Sequence, residues 1–457
     1  MARTGMAVFW AGVMAAACAG PAPRPSAVTQ PRKASPRAEP SAKPVASHAA
    51  SVTPCPALTV NLPVLITSDI DVAVPELVDH SGHEQMAAFH EKLARLVRGN
   101  AKDHVRILMY GDSNLTRDDI SGELRRTLQQ QWGDGGHGYI GVGKPWNWYI
   151  HNDVQHGAAA NAWKVYSMST DQVADHLYGF GGLAAQNIVE RARAWVATAE
   201  ANAPVGRSAS RVGVMYLERP GHGAFHVAID GKEAARIDSH GDRVHAAFRR
   251  FDLPDGAHRI ELTSEADIVR LLGVVLERDK PGVVVDSVGI GGVNAELLAR
   301  GDRALTLETL RMRKHDLVLL LTGATEPDSP GHVAAEKELV ARHKQALPDA
   351  PFVMLSPPDL AGGTVQNPMP SARIEQIEKQ KRLAAAESKS MFWDFRGAMG
   401  GRLSIVRFAE RKMAWNDFIH LTGTGGRYMG RRLAYALMRD FAAYLQRHPR
   451  AGCGAEP

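Results

Sequence analysis

"RILMYGDSNLTRDDI", from Arg106 to Ile120, changes its periodicity at Gly111-Asp112-Ser113. The residues before Gly111 form a short apolar run that reads as a buried strand. Those after Ser113, "RDDISGELRRTLQQQW", put Ile120, Leu124, Leu128 and Trp132 at helical spacing. Ser113 is thus expected at the carboxyl end of a strand, which is where a parallel α/β sheet binds its ligands. Gly, Asp and Ser are also ordinary turn formers, so the tripeptide alone does not separate a turn from a nucleophile.

The same alternation extends in both directions. Upstream, "HEQMAAFHEKLARLVRGN" spaces Met86, Phe89, Leu93 and Leu96 as a helix that stops near Gly99-Asn100. Downstream, "DLVLLLTG" (316–323) and "PFVMLSP" (351–357) read as buried strands. Helices are expected in "HVAAEKELVARHKQAL", in "SARIEQIEKQKRLAAAES" and after the Gly-rich start of "LTGTGGRYMGRRLAYALMRDFAAYLQRH". Helices alternating with apolar strands imply an α/β fold, a mostly parallel sheet covered on both faces. From about Gly157 to Lys280 the period becomes two. Phe225, Val227 and Ile229 alternate before a turn at Asp230-Gly231, and a second turn is expected at Asp255-Gly256 before Ile260 and Leu262. "IVRLLGVVLE" reads as another strand, so an inserted all-β sandwich is expected inside the α/β domain. His222, His226 and His240 read as surface residues of this insert.

The chain has 457 residues, enough for two or three domains, and its 44% hydrophobic and 23% charged residues are those of a globular protein. Part of the net charge of +5 sits in an N-terminal tail with Arg24, Arg32, Lys33, Arg37 and Lys43. Elsewhere acids and bases alternate without a basic, aromatic-laced stripe, which argues against nucleic acid as a partner. "MARTGMAVFWAGVMAAACAG" carries Arg3, an apolar run too short to span a bilayer, and then small residues before Cys18. Ala15-Ala16-Ala17-Cys18 resembles a bacterial lipobox with Ala in place of the usual Leu, and Ala15-x-Ala17 would also suit ordinary signal cleavage to a secreted, unanchored protein. Residues 1–18 are therefore expected to be a lipoprotein signal peptide, with Cys18 lipidated, and the protein an exported one anchored in the bacterial cell envelope. Residues 19–60 are rich in Pro and Ala and read as a disordered tether. The α/β domain is expected over 61–156 and 281–448, the insert over 157–280 and a tail over 449–457. Cys55 and Cys453 flank the folded part and could pair in an oxidising compartment or remain free thiols. No Cys/His spacing reads as a metal site.

A serine nucleophile needs a base, a group to orient that base, and donors for an oxyanion. Asp-x-x-His supplies a carboxylate and an imidazole in one loop, and it occurs at Asp153/His156, Asp242/His245, Asp255/His258 and Asp417/His420. Only the last pair, in "WNDFIHLTGTGG", opens the final helix of the α/β part and can face Ser113.

"YGDSN" and "WNDFIHLTGTGG" resemble the first and last blocks of the SGNH (GDSL-like) hydrolase superfamily. "GDGGHGYIG", "VVVDSVGIGGVNAE", "LLLTGATE" and "MFWDFRGAMGG" extend the likeness over most of 71–448. With its β interruption, similar to a carbohydrate-binding module, the chain is most similar to the superfamily's peptidoglycan O-acetylesterases. The resemblance implies a three-layer αβα hydrolase without metal or organic cofactor, acting on an O-acetylated polysaccharide. It implies Ser113 as nucleophile, His420 as base and Asp417 as its orienting carboxylate. The Ser113 N–H would be one oxyanion donor and Gly292, with Gly291 a close competitor, the second. The family's third block carries an Asn donor where this chain has Thr325, whose shorter hydroxyl is the expected third oxyanion donor; a slower or repurposed enzyme and compensation by a nearby group are both open. A transferase using the same triad, and a glycan-binding lipoprotein with a decayed site, are the alternatives. Trp146, Trp148 and Tyr149 could stack on a sugar or pack between the two parts. Trp393 and Asp394 are assigned no chemistry.

Overall fold

The computed structural model describes residues 55–65, 72–329 and 331–454. The expected signal segment, Cys18 and most of the Pro-rich tether lie outside them.

The strand Val105–Gly111 is buried along its whole length because its two faces point into two different cores. Val105, Ile107 and Met109 pack with the helices Ala87–Val97, Asp119–Trp132 and Gly423–Arg447. Leu108 and Tyr110 face the opposite core, shared with the helices Arg303–Arg313 and Gly331–Ala346. Each such apolar side chain contributes on the order of 1.5–3 kcal/mol by leaving water. The sheet runs Val78–Asp79, Met391–Trp393, Phe352–Leu355, Leu317–Leu321, Val105–Gly111, Val283–Gly289. Its pairs are parallel except at the Val78–Asp79 edge. This is the expected αβα arrangement, and it brings Gly111, Gly289 and Leu321 side by side at one end.

The all-β part forms two antiparallel sheets around a separate core that includes Val196, Phe225, Val227, Ile260, Leu262, Val212, Val214, Leu271 and Val274. One sheet orders Lys232–Asp238, Ala224–Ile229, Arg259–Ser264, Arg193–Thr198 and Val154–Ala158; the other centres on Ala209–Glu218 and Arg270–Glu277. Its pairing starts before Gly157: Gly138–Ile140 already lies against Val274–Leu276. The Asp230-Gly231 turn forms as expected, with both residues at positive φ and Ile229 opposite Lys232. Asp255-Gly256 is not a turn. The strand His245–Gly256 runs through it over a bulge, Gly256 pairs with Ala209, and the Asp255 carboxylate is taken by Arg278. His222 is also not on the surface: it is buried, its Nδ1 hydrogen-bonded to the Leu217 carbonyl at 3.1 Å, and burial pushes its pKa down to about 4.

The two parts are joined by buried charge. Glu277, on a central strand of the sandwich, takes Arg106 of the first α/β strand at 2.9 Å and Arg313 of the helix Arg303–Arg313 at 2.9 Å. Arg313 also pairs with Asp286 at 2.8 Å. A disulfide links Cys55 to Cys453 across a sequence separation of 398, Cα atoms 6.0 Å apart, closing the described ends on each other.

Candidate active site

Gly111 ends its strand where a Cβ would meet Leu115 at 2.7 Å, so the chain can fold directly into the short turn Ser113–Leu115. Asp112 caps that turn. Its fully buried carboxylate accepts from the Asn114 N–H at 3.0 Å and from the Ala324 N–H at 3.0 Å. Burial raises its pKa, partly offset by those two donors. Asp112 thereby fixes the Ser113 turn to the "TGATE" loop.

The partner loop is closed by pairing of Ala414 with Leu421 and by the Trp415 N–H donating to the His420 carbonyl at 2.8 Å. Phe418, at positive φ, turns inward and is buried, leaving Trp415 and Asp417 outside. The His420 Nε2 lies 2.9 Å from Ser113 Oγ, and its Nδ1 lies 2.7 Å from Asp417 Oδ2. The other Asp417 oxygen accepts the backbone N–H of Ile419 at 2.9 Å and of His420 at 3.0 Å. Burial raises the Asp417 pKa, but the His420 contact and these two amides outweigh it and leave the pKa lowered. The carboxylate is therefore ionised and holds Nδ1–H, which leaves Nε2 as an acceptor for the serine proton.

None of the other three Asp-x-x-His pairs closes on itself. Asp153 pairs with Arg126, His245 with Glu218, and His258 with Asp230.

Gly292 has φ +75, and a Cβ there would meet nothing nearer than Ser169 at 3.9 Å. Ser169, from the β part, donates its hydroxyl to the Gly291 carbonyl at 2.5 Å. In a trans peptide this turns the Gly292 N–H the opposite way. Among the described residues neither the Ser113 nor the Gly292 N–H has a hydrogen-bond acceptor, as two oxyanion donors would require. Thr325 differs from its expected place. Its hydroxyl donates to the Val293 carbonyl at 2.7 Å, so its single hydrogen is committed and the Asn donor of the family has no direct replacement here.

Glu326, beside Thr325, was not singled out by sequence reasoning. Its buried carboxylate accepts from the Ala295 N–H at 2.8 Å and contacts His332 at 3.0 Å, while Arg373 donates to the Ala324 and Glu326 carbonyls at 2.9 Å each. These bonds tie the second and third blocks together.

Two described clusters could offer metal donors, Asp118/His137/His151 and Glu326/His332/Glu336. Each already contains a cation. Arg125 and the Ser121 hydroxyl occupy the Asp118 carboxylate, and Lys381 occupies Glu336. A metal would have to displace a buried Arg or Lys.

Trp146 is half-buried and Tyr149 buried, the latter's hydroxyl bonded to His151 at 2.9 Å, so both pack as expected of a rim. Trp148 is exposed. Trp393 is buried and donates to the Pro75 carbonyl, and Asp394 caps the helix Phe395–Met399.

No family model and no curated protein matches the sequence. Among solved structures, "Peptidoglycan O-acetylesterase in action, 5 min" superposes with a TM-score of 0.68 at 21% identity, covering 80% of this chain and 99% of that one. A lipase/acylhydrolase from Enterococcus faecalis aligns over 35% of this chain and 77% of its own at 19% identity and TM-score 0.27. A family two carbohydrate esterase from Clostridium thermocellum aligns over 63% and 98% at 10% identity and TM-score 0.25. Those two scores carry no structural weight. This chain thus shares the fold of the peptidoglycan O-acetylesterase, an SGNH-type αβα hydrolase fold with added antiparallel sheets, and carries Ser113, His420 and Asp417 in one hydrogen-bonded series at the carboxyl edge of its sheet.

Proposed function

We propose that this protein is a serine carboxylesterase that removes O-acetyl groups from a cell-wall polysaccharide, with peptidoglycan as the first candidate. The observation that carries the reading is the Ser113–His420–Asp417 series at 2.9 and 2.7 Å. The acetylesterase of the same fold supports the choice of ester.

Ser113 Oγ attacks the acetyl carbonyl while His420 Nε2 takes its proton, and Asp417 stabilises the imidazolium. The tetrahedral oxyanion accepts the Ser113 and Gly292 N–H groups. His420 then returns the proton to the departing sugar oxygen, leaving acetyl-Ser113. Water, deprotonated by the same imidazole, attacks the acetyl-enzyme and releases acetate. In this reading Cys18 anchors the exported protein to a membrane through lipid, and the β part, which already reaches the site through Ser169, helps to hold the glycan.

The test is acetate release from p-nitrophenyl acetate and from O-acetylated peptidoglycan by wild type, Ser113→Ala and His420→Ala. Both variants are expected to fall by about 1,000-fold or more. Wild type indistinguishable from Ser113→Ala on every ester would overturn the esterase reading and favour a glycan-binding protein.

A further inference from the structure

Among the described residues only two tryptophans are exposed, Trp148 at 55% and Trp415 at 57%. Both line one cavity, of about 360 Å³, with Ser113, Asp417 and His420. They come from distant parts of the chain. Trp415 belongs to the loop that carries Asp417 and His420. Trp148 sits in the turn between half-buried Trp146, 6.5 Å away centroid to centroid, and buried Tyr149. That turn is fastened to the nucleophile loop: the Ile150 N–H donates to the Thr116 carbonyl at 3.4 Å, and the Asn152 N–H to the Asp118 carboxylate at 2.9 Å. An indole in water forfeits most of its burial energy, so two of them beside a reactive serine call for a flat apolar partner. The C–H face of a pyranose is such a partner, and the volume is at the small end of the range for ligand sites.

Arg117 is the one Lys or Arg lining the cavity. Only its Nε is engaged, with Asp119 at 3.3 Å; among the described residues its two terminal nitrogens have no partner. A guanidinium with a free planar edge takes a carboxylate with two parallel bonds.

We infer that Trp148 and Trp415 clamp the pyranose ring that bears the ester, and that Arg117 binds an acidic substituent of the same glycan. This rests on the esterase reading and names its substrate class, an acidic acetylated polysaccharide. The clamp sets KM for the glycan; the triad sets the chemistry.

The experiment compares the full-length protein with Trp148→Ala, Trp415→Ala, both Trp→Phe variants and Arg117→Ala. The substrates are p-nitrophenyl acetate, acetylated xylan freed of its uronic acids as an uncharged glycan, and O-acetylated peptidoglycan. Each Trp→Ala change is expected to lower the ratio of glycan to p-nitrophenyl acetate kcat/KM about tenfold or more, mainly through KM, because it removes the aromatic face on which the sugar stacks while leaving the triad in place. The Phe variants should recover most of it. Arg117→Ala should lower kcat/KM on peptidoglycan at least about fivefold more than on acetylated xylan. Ratios unmoved by either Trp→Ala change, or Phe variants as poor as Ala, would overturn the clamp. Equal losses on both glycans would overturn the acidic assignment. A second readout separates this from failure of the esterase reading. Peptidoglycan strands should quench tryptophan fluorescence in Ser113→Ala, and that quench should disappear when Trp148 and Trp415 are also replaced. A quench that survives both replacements overturns the clamp whether or not acetate is released.

Discussion

Asn114 grips the loop of His420 from two sides: its Oδ1 accepts the Leu421 N–H at 3.0 Å, and its Nδ2 donates to the Ile419 carbonyl at 3.3 Å. Asn114 thereby ties the turn that carries Ser113 to the loop that carries His420, although 305 positions separate it from Ile419. The two bonds flank His420 in sequence, and His420 Nε2 lies 2.9 Å from Ser113 Oγ.

Asn114→Ala should lower kcat about 10- to 100-fold on p-nitrophenyl acetate, because small displacements of a base cost rates of that order. The loss of two hydrogen bonds should reduce stability by only about 1–3 kcal/mol. Steady-state kinetics beside urea denaturation checks it. A variant that loses stability but keeps wild-type kcat would show that the loop holds its place without Asn114.

Cys453→Ser should destabilise the folded part by about 2–5 kcal/mol, the usual cost of removing a native disulfide, with the longest loops at the upper end. The bond joins Cys55 to a segment already held by Arg98, whose side chain donates to the Ala451 carbonyl at 2.7 Å. Thermal unfolding with and without reductant measures it: reductant should lower the Tm of wild type and leave that of Cys453→Ser unmoved.

That Ser113, Asp417 and His420 would meet was legible because each stands in a short block whose neighbours fix its setting: Ser113 after an apolar strand, Asp417 and His420 before a Gly-rich helix start. The all-β part was legible wherever alternation was strong, as at Phe225, Val227 and Ile229. It was not legible at Gly138–Ile140, because a three-residue strand among glycines has no measurable period and pairs only through Val274–Leu276. Asp255-Gly256 misled because turn propensity is a local preference that strand pairing with Ala209 and the Arg278 ion pair override. His222 misled for a similar reason: "RPGHGA" reads as an exposed turn, yet the ring is folded under it onto Leu217. Asn114 and Glu326 were visible as letters, but their partners are set by the fold: Asn114 meets Ile419 and Leu421, 305 and 307 positions away, and Glu326 meets Ala295, 31 positions back.

Glu277→Gln should destabilise the protein by about 3–5 kcal/mol at pH 7, because it leaves buried Arg106 and Arg313 without one shared carboxylate. Burial alone would raise the Glu277 pKa, but the Arg313 charge and the Arg106 hydrogen bond pull it down to about 2. The folded pKa lies below the unfolded one, so this contribution is complete above about pH 4.5 and is lost as pH falls toward 2. The Tm gap between wild type and Glu277→Gln should hold constant from pH 7 to 5 and close below pH 4. A gap still at its full pH 7 size at pH 2.5 would mean that packing, not charge, makes the difference.

Thr325→Asn should raise kcat by about tenfold or more. The Thr325 hydroxyl is spent on the Val293 carbonyl at 2.7 Å, leaving two backbone donors for the oxyanion. A single side-chain donor in such a hole is worth about 100- to 1,000-fold where it is well placed. The longer Asn side chain presents an NH₂ with two hydrogens, so one can serve the oxyanion even if the other replaces the bond to Val293. Thr325→Val removes the hydroxyl while keeping the shape, and should leave kcat within about twofold, with at most about 1 kcal/mol of stability lost. Both are read from kcat on p-nitrophenyl acetate. If Thr325→Val falls about 100-fold, the hydroxyl swings from Val293 to the oxyanion during turnover and Thr325 is itself the third donor. If neither variant moves kcat, the Ser113 and Gly292 N–H groups stabilise the oxyanion without a side-chain donor.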